Sequence, residues 1–161
     1  MCIRDSFVSE EESYRKIANE LGLIQLSEQP LKYARHPLVY LVEAADDICY
    51  QMMDIEDAHK LKIITTDETK ELLMAFFSED RQSRLRSTFQ IVNDINEQIA
   101  YLRSSVIGLL VRECTRVFLE HEQEILAGTF EGALIKHIAE GPAAAYNHCA
   151  AVSYTHLRAH E

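Results

Sequence analysis

The 161-residue chain has no tryptophan, only five glycines and only three prolines. Glycine and proline interrupt helices and form turns, so their scarcity argues against a turn-rich fold. Long stretches rich in Leu, Ile, Ala and Glu favour helices instead. Hydrophobic residues make up 47% of the chain and charged residues 26%, a balance typical of one globular domain with a buried core. We therefore expect an all-α fold.

The sequence also lacks a long apolar run, a signal-like N-terminus and any Cys-x-x-Cys pair. These absences predict a cytoplasmic protein with reduced thiols and no membrane partner. Basic residues are in the minority, which gives a formal net charge of −10. An acidic chain is a poor general phosphate binder, so nucleic acid is not indicated as a partner.

The two ends of the chain differ from the rest. Residues 1–6 read MCIRDS, and a DNA sequence that encodes them also encodes VSYTH on its opposite strand, which is found at residues 152–156. One short DNA sequence translated forward at the start and backward at the end is typical of a sequencing adapter. We therefore expect residues 1–6 and 152–161 to be adapter-derived, and the source gene to be truncated at both ends.

Residues 35–61, RHPLVYLVEAADDICYQMMDIEDAHKL, predict one long helix, because Pro37 suits a first helical turn and the next Pro or Gly is Gly108. At about 100° per residue, six residues fall within an arc of roughly 100° and form an acidic stripe: Glu43, Asp46, Asp47, Tyr50, Asp54 and Asp57. Most other positions are apolar. This pattern predicts a largely buried helix whose carboxylates line a cleft, repel one another and shift toward the neutral form unless a cation compensates. Alternatively, the stripe is the solvated side of a core helix.

The stretch EAADDICYQMMDIEDA, residues 43–58, resembles the signature helix of the deoxyguanosine triphosphate triphosphohydrolases, a family of HD-domain metal-dependent phosphohydrolases. PLKYARHPLVYLV, HKLKI, YLRSSVIGLL and ILAGTFEGALI also resemble that family. The resemblance implies that residues 7–80 are the C-terminal part of an HD catalytic core and that residues 81–151 are its associated helical region. It further implies hydrolysis of dGTP to deoxyguanosine and triphosphate, with Mg²⁺ or Mn²⁺, in a homo-oligomeric parent enzyme.

Three residues carry the resemblance at the site. Asp46 matches the last aspartate of the family's His, His-Asp, Asp metal set, and Tyr50 and Asp54 match residues that contact the deoxyribose and its 3′-hydroxyl. Positions i, i+4 and i+8 share a helix face, so a sugar lying along the helix from Asp46 would reach both. No His-Asp dipeptide occurs in the chain. We therefore expect the chain alone to be inactive; the alternative is a non-catalytic helical module for oligomerisation or interaction.

The rest of the sequence predicts packing elements. Ser9 with Glu12 and Thr65 with Glu68 have capping-box spacing, and the first helix is expected to end at Gly22. Residues 23–30 form a connector, residues 85–126 a long helical segment bent at Gly108 or at residues 103–105, and residues 129–139 a short helix. Another helix begins within residues 146–150.

Several charged residues remain open to two interpretations. Lys32 and Arg35 either approach phosphate or are solvated, with solvation favoured, and Arg103 points into a cleft or pairs with a carboxylate. Two alternatives are open for Arg81, Arg84 and Arg86, namely binding of a phosphate or effector and a position on a solvated face. Glu56 and His59 have the i, i+3 spacing of di-iron helices, but no second pair exists. Surface or capping roles are expected for the lone histidines, His36, His59, His121, His137 and His148.

Overall fold

The computed structural model describes residues 8–92 and 94–157. A 3-10 turn, Val8–Glu10, leads into α1 (Glu11–Glu20), and a hairpin of β1 (Gln25–Glu28) and β2 (Leu31–Tyr33) follows. The remaining helices are α2 (Pro37–Lys60), α3 (Thr66–Met74), α4 (Glu79–Phe89), α5 (Ile95–Glu120), α6 (Glu122–Leu126) and α7 (Glu140–Leu157). The predicted all-α class is confirmed, apart from the small antiparallel hairpin.

One hydrophobic core holds the helices together. Helix α2 packs on α5 and α7, and α5 also packs on α3. Ile48 of α2 and Leu102 and Leu110 of α5 are almost completely buried at its centre. The core includes residues on both sides of residue 80. The predicted domain boundary at that residue stays a prediction.

Helix α2 begins and ends within two residues of the predicted range. Pro37 occupies the first turn, and the backbone N–H of Leu38 donates to Nδ1 of His36 at 3.2 Å. This bond confirms a capping role for His36. Beyond α2, Lys62 adopts a positive φ of 58° and turns the chain toward α3.

The two predicted capping boxes have different outcomes. The box at α3 is confirmed: the N–H of Thr65 donates to Glu68 at 2.7 Å, and the N–H of Glu68 donates to Thr65 Oγ1 at 3.2 Å. The box at Ser9 is wrong, because Ser9 lies in the 3-10 turn. Helix α1 starts at Glu11 without a side-chain cap.

Helix α5 is not interrupted at Gly108 or at residues 103–105, the two positions at which a bend in the long segment was predicted. The break lies before α5, where Asp94 accepts hydrogen bonds from the backbone N–H groups of Asn96 and Glu97 at 2.8 and 3.0 Å. A mid-helix glycine costs about 1 kcal/mol, which packing can offset, whereas an aspartate N-cap stabilises a helix start directly. A second break at His121 separates α5 from α6.

Three further local predictions need correction. The connector at residues 23–30 contains β1 and leads into β2, and residues 129–139 contain only the 3-10 turn Leu134–Lys136. Helix α7 begins at Glu140, with Pro142 in its first turn, where a missing N–H costs nothing. The predicted end of the long helical segment at residue 126 is confirmed, because α6 ends at Leu126, and Gly128 follows with a φ of 72°.

Helix α7 continues into the segment predicted to be adapter-derived. Ser153 is buried and accepts a hydrogen bond from Nε2 of Gln51 at 3.1 Å. Residues 1–6 and 158–161 lie outside the described residues. The origin of both ends stays a prediction. Within 8–92 and 94–157, no helix is both long enough and apolar enough to cross a membrane.

Candidate functional site

Helix α2 buries one face and exposes the other. The buried face packs against the core and consists of Tyr40, Ala44, Ile48, Gln51, Met52, Ile55 and Ala58, with Glu43 at its edge. The prediction that the apolar majority is buried is therefore only partly right. An exposed row, called the apolar stripe here, comprises Leu38, Val42, Ala45, Cys49 and Met53. Leu38 is 59% exposed, Val42 61% and Met53 56%.

The acidic stripe lies along the border between these two faces. Asp46, Tyr50 and Asp57 are exposed, and Tyr50 is 63% exposed. Asp47 and Asp54 are half-buried. Because Asp46 and Tyr50 project from an open helix surface, the expected cleft is not formed around them by the described residues.

Asp46, Tyr50 and Asp54 occupy successive turns of this border. Their side chains form no hydrogen bond or ion pair within the part of the chain that the structure describes. By contrast, Glu43 and Glu56 on the same helix are both ion-paired with arginines. The three predicted site residues are therefore available to a ligand.

Burial raises the pKa of the Asp47 carboxyl above its ordinary value, and the neighbouring Asp46 raises it further. Burial likewise raises the pKa of Asp54, with an added contribution from Asp57. Desolvation and like charge both disfavour the ionised form of a carboxyl group. The predicted shift toward the neutral form is confirmed at these two positions.

Comparison with known proteins relates this geometry to a family. The chain is 35% identical over 137 residues to a deoxyguanosinetriphosphate triphosphohydrolase-like protein of Pseudomonas aeruginosa (strain LESB58). The aligned residues make up 85% of this chain and 30% of that protein. It is 33% identical over 130 residues to the protein of the same description from Synechocystis sp. (strain ATCC 27184 / PCC 6803 / Kazusa), covering 81% and 28% respectively. This chain is related to the deoxyguanosinetriphosphate triphosphohydrolase-like proteins. It spans about 30% of the length of the curated relatives it matches. No family model matches it.

The described residues do not by themselves provide a complete metal site. Nowhere in 8–92 or 94–157 do three or more His, Cys, Asp or Glu residues gather in a group that could hold a metal ion. Asp46 would offer one carboxylate, whereas Mg²⁺ demands a near-octahedral set of oxygen ligands. The assignment of Asp46 as a ligand stays a prediction that needs ligands beyond those described.

The weak di-iron interpretation of Glu56 and His59 is not supported by their contacts. Glu56 is ion-paired with Arg103 and also contacts Nζ of Lys60 at 2.8 Å. His59 Nε2 lies 3.2 Å from the hydroxyl of Thr66. The pairing of Arg103 with a carboxylate, one of its two predicted alternatives, is confirmed.

The guanidinium of Arg35 is held by neighbouring residues rather than solvated. Its guanidinium is ion-paired with Glu43, lies 4.3 Å from the ring centroid of Tyr40, and donates to the carbonyl of Gly132 at 3.4 Å. The solvated interpretation is therefore wrong for Arg35. Glu43 is buried beneath this arginine, which removes it from the exposed part of the acidic stripe.

Two of the remaining histidines contact residues outside the acidic stripe. His121 contacts Glu124 through an Nδ1 to Oε1 distance of 3.2 Å, and His137 Nε2 lies 3.0 Å from the carbonyl of Glu131. Both rings pack against Phe130. His148 is exposed on α7.

Two clefts lie outside the acidic stripe. One, of about 450 Å³, is called the arginine cleft here and is lined by Phe77, Arg81, Ser104, Ser105, Gly108 and Arg112, among others. The other, of about 570 Å³, is lined by Asp67, Lys70, Glu71, Arg86 and neighbouring residues. Sequence reasoning singled out Arg81 but missed Ser104 and Arg112. Their i, i+4, i+8 spacing with Gly108 was a usable signal, because it places all three on one helix face.

Proposed function

We propose that this chain is part of a metal-dependent hydrolase that converts dGTP and water to deoxyguanosine and triphosphate. Support comes from relatives described as deoxyguanosinetriphosphate triphosphohydrolase-like, at 33–35% identity. The observation that carries the proposal is that the glutamates and the site aspartates of α2 differ in whether they are ion-paired. Glu43 and Glu56 are paired with arginines, whereas Asp46 and Asp54 are left available to a ligand.

In this proposal the acceptor oxygens of Asp46 contribute one ligand to a Mg²⁺ or Mn²⁺ ion. The other ligands would come from outside the described residues, which supply no cluster of three. When bound, such an ion polarises phosphate oxygens and activates water. The reaction forms a bond between the water oxygen and the α-phosphorus, and breaks the bond from that phosphorus to the nucleoside 5′-oxygen.

Tyr50 and Asp54 would hold the sugar. The Tyr50 phenol can donate or accept a hydrogen bond, and an ionised Asp54 accepts one from the 3′-hydroxyl. The half-buried Asp54 carboxyl has lost water without gaining a partner among the described side chains. An incoming hydroxyl would therefore satisfy a group that the fold itself leaves unsatisfied.

The first test is triphosphate release from dGTP by a longer protein that contains this segment. Asp46→Asn should abolish release while the melting temperature stays within a few degrees. Asp57→Asn is the matched control, because Asp57 is also an exposed residue of the acidic stripe and its replacement removes the same charge. Equal loss in both variants would attribute the effect to overall charge and would refute the role of Asp46. The 161-residue chain alone should release no triphosphate with added Mg²⁺ or Mn²⁺.

The sugar contacts have a separate test in the same longer protein. Tyr50→Phe and Asp54→Asn should weaken discrimination between dGTP and its 3′-deoxy analogue, since a site built around a hydroxyl loses about 1–3 kcal/mol when its polar partners go unpaired. The ratio of kcat/KM values measures this discrimination. An unchanged ratio in both variants would leave Tyr50 and Asp54 as structural residues.

The apolar stripe favours a second candidate, a non-catalytic helical module for oligomerisation or interaction. Leu38, Val42 and Met53 form a contiguous exposed row, and exposed apolar patches of this kind mark contact surfaces. Replacing Val42 with Asp should then lower the molecular mass measured by light scattering. Triphosphate release that survives Val42→Asp in a longer protein would separate the two candidates.

A further inference from the structure

The arginine cleft carries an unusual concentration of positive charge for this protein. It lies between the α3–α4 junction, with Arg81 in the first turns of α4, and one face of α5 that includes Arg112. Its lining contains two arginines and no carboxylate, in a chain with a net charge of −10. The second cleft, by comparison, is lined by two acidic and two basic side chains, Asp67, Glu71, Lys70 and Arg86.

Both arginines of the cleft lack a side-chain partner among the described residues. Within 8–92 and 94–157, neither Arg81 nor Arg112 forms an ion pair or a side-chain hydrogen bond. Arg35, Arg103 and Arg116 are instead each paired with a glutamate. Two unpaired guanidinium groups on one cleft form a site for an anion with several oxygens, because each presents a planar array of donors.

The serines of the cleft are also free to bind. Helical Ser and Thr hydroxyls often donate to the carbonyl four residues earlier, and Ser87 and Thr115 do so at 3.1 and 2.8 Å. Ser104 and Ser105 make no side-chain hydrogen bond to any described residue. Their hydroxyls therefore add two donors to the same face of α5.

Gly108 leaves space on this face for the side chain of Arg112. A Cβ atom added at Gly108 would lie 3.4 Å from Nη1 of Arg112, so the guanidinium lies directly over the glycine. Helix α4 also begins at this cleft, where Ser78 occupies the N-cap position without a side-chain cap. The backbone N–H groups of that first turn add positive potential. Glu79 and Asp80 belong to the same turn but do not line the cleft.

Part of the cleft lining is apolar, and this apolar lining comes from both sides of the cleft. Phe76 is buried, and Phe77 and Leu109 are half-buried beside the polar groups. A fully hydrated inorganic ion would leave the apolar lining exposed to water. A ligand that joins a phosphate to an apolar or aromatic group would contact the arginines and cover the apolar lining, and a volume of about 450 Å³ accommodates a small molecule of this kind.

We propose that the arginine cleft binds a small phosphate monoester. Arg81 and Arg112 contact the phosphate oxygens, Ser104 and Ser105 donate further hydrogen bonds, and the organic group packs on Phe77 and Leu109. This site is separate from Asp46 and does not depend on the proposed hydrolase activity.

The test is a titration of the 161-residue chain with phenyl phosphate, followed by calorimetry or by NMR chemical shifts. Arg81→Gln and Arg112→Gln should each weaken binding about tenfold, as expected for loss of a hydrogen bond to a charged group. The matched control is Arg84→Gln, because Arg84 is exposed on the same helix but does not line the cleft. This control should change the affinity by less than about twofold, since screening weakens distant surface charges.

Three results would overturn the proposal. The first is no detectable binding of phenyl phosphate at about 10 mM, where even a site at the weak end of the affinity scale is partly filled. The second is equal weakening by Arg81→Gln and Arg84→Gln, which would mean attraction to general surface charge. The third is equal affinity for inorganic phosphate, which would remove the role of the apolar lining. Thermal melting of each variant checks folding, and both arginines are exposed enough to be replaced without disturbing the core.

Discussion

Replacing Asp54 with Asn should make the folded chain more stable at neutral pH. Asp54 is half-buried, and its carboxyl makes no hydrogen bond or ion pair to any described residue. Burial and the charge of Asp57 raise its pKa. Ionised Asp54 therefore opposes folding, and an amide of nearly the same shape removes that cost.

The size of the effect follows from partial burial. An unsatisfied buried polar group costs about 1–3 kcal/mol, and more when it is charged. The amide removes only the part of the cost that is due to the charge, and partial solvent access keeps that part at or below the lower end of this range. Repulsion from Asp57, one turn away, adds about 0.2–0.5 kcal/mol. The expected gain is about 1 kcal/mol in the free energy of unfolding, or about 2–4 °C in melting temperature for a chain of this size.

The gain should depend on pH in a defined direction. The pKa of Asp54 is higher in the folded state than in the unfolded state. The destabilising charge is therefore fully present above the folded-state pKa. It disappears as the pH falls below the unfolded-state pKa, about 3.9. Urea unfolding of wild type and Asp54→Asn at pH 7 and at pH 3 measures both limits. Asp57→Asn, which removes the repulsion without the desolvation, should give a smaller gain. Destabilisation by Asp54→Asn at pH 7, or a gain that persists at pH 3, would refute the reasoning.

Two further predictions concern helix capping and thiol reactivity. Thr65→Ala breaks the confirmed capping box and should lower the free energy of unfolding by about 1 kcal/mol. Ser78→Ala removes an N-cap residue that makes no side-chain hydrogen bond, so it should change this free energy little. Equal losses in urea unfolding would contradict the capping argument. Cys49 is exposed and should react with a thiol reagent at pH 8. Burial raises the pKa of Cys114 to about 11 and the pKa of Cys149 to about 12. Both buried thiols should therefore stay unreactive until the chain is unfolded. A Cys49→Ser variant that loses no reactivity in the native state would show that other thiols react.

Local signals in the sequence predicted the helix boundaries best where one residue has a strong preference. Pro37 fixes the start of α2, and Thr65 with Glu68 fixes the start of α3, because both devices act within one helical turn. The failures occurred where tertiary contacts decide. Packing carries α5 through Gly108, and the short β1–β2 hairpin has too few residues for a clear alternating pattern.

The candidate site was predicted in its positions but not in its surroundings. Periodicity correctly placed Asp46, Tyr50 and Asp54 on one side of α2, since that follows from helix geometry alone. It could not determine whether the apolar face next to them would find a partner. Leu38 and Val42 were expected in the core, but they are exposed because the described helices pack on the opposite face. Burial depends on what lies across from a helix, and a pattern along one helix does not contain that information.

The apolar stripe and the metal ligand proposed at Asp46 lie on the same exposed side of α2. Val42 and Met53 lie on the face adjoining Asp46, so a helix that covered the stripe would also lie beside that carboxylate. A second copy of α2 is a poor candidate for this cover, because it would bring another set of acidic residues against Asp46 and Asp57. A segment that carries histidine or basic side chains would instead supply both the missing ligands and the compensating charge. Under the proposed function, a covering segment of this kind would therefore account for both the exposed apolar stripe and the further ligands that Asp46 needs.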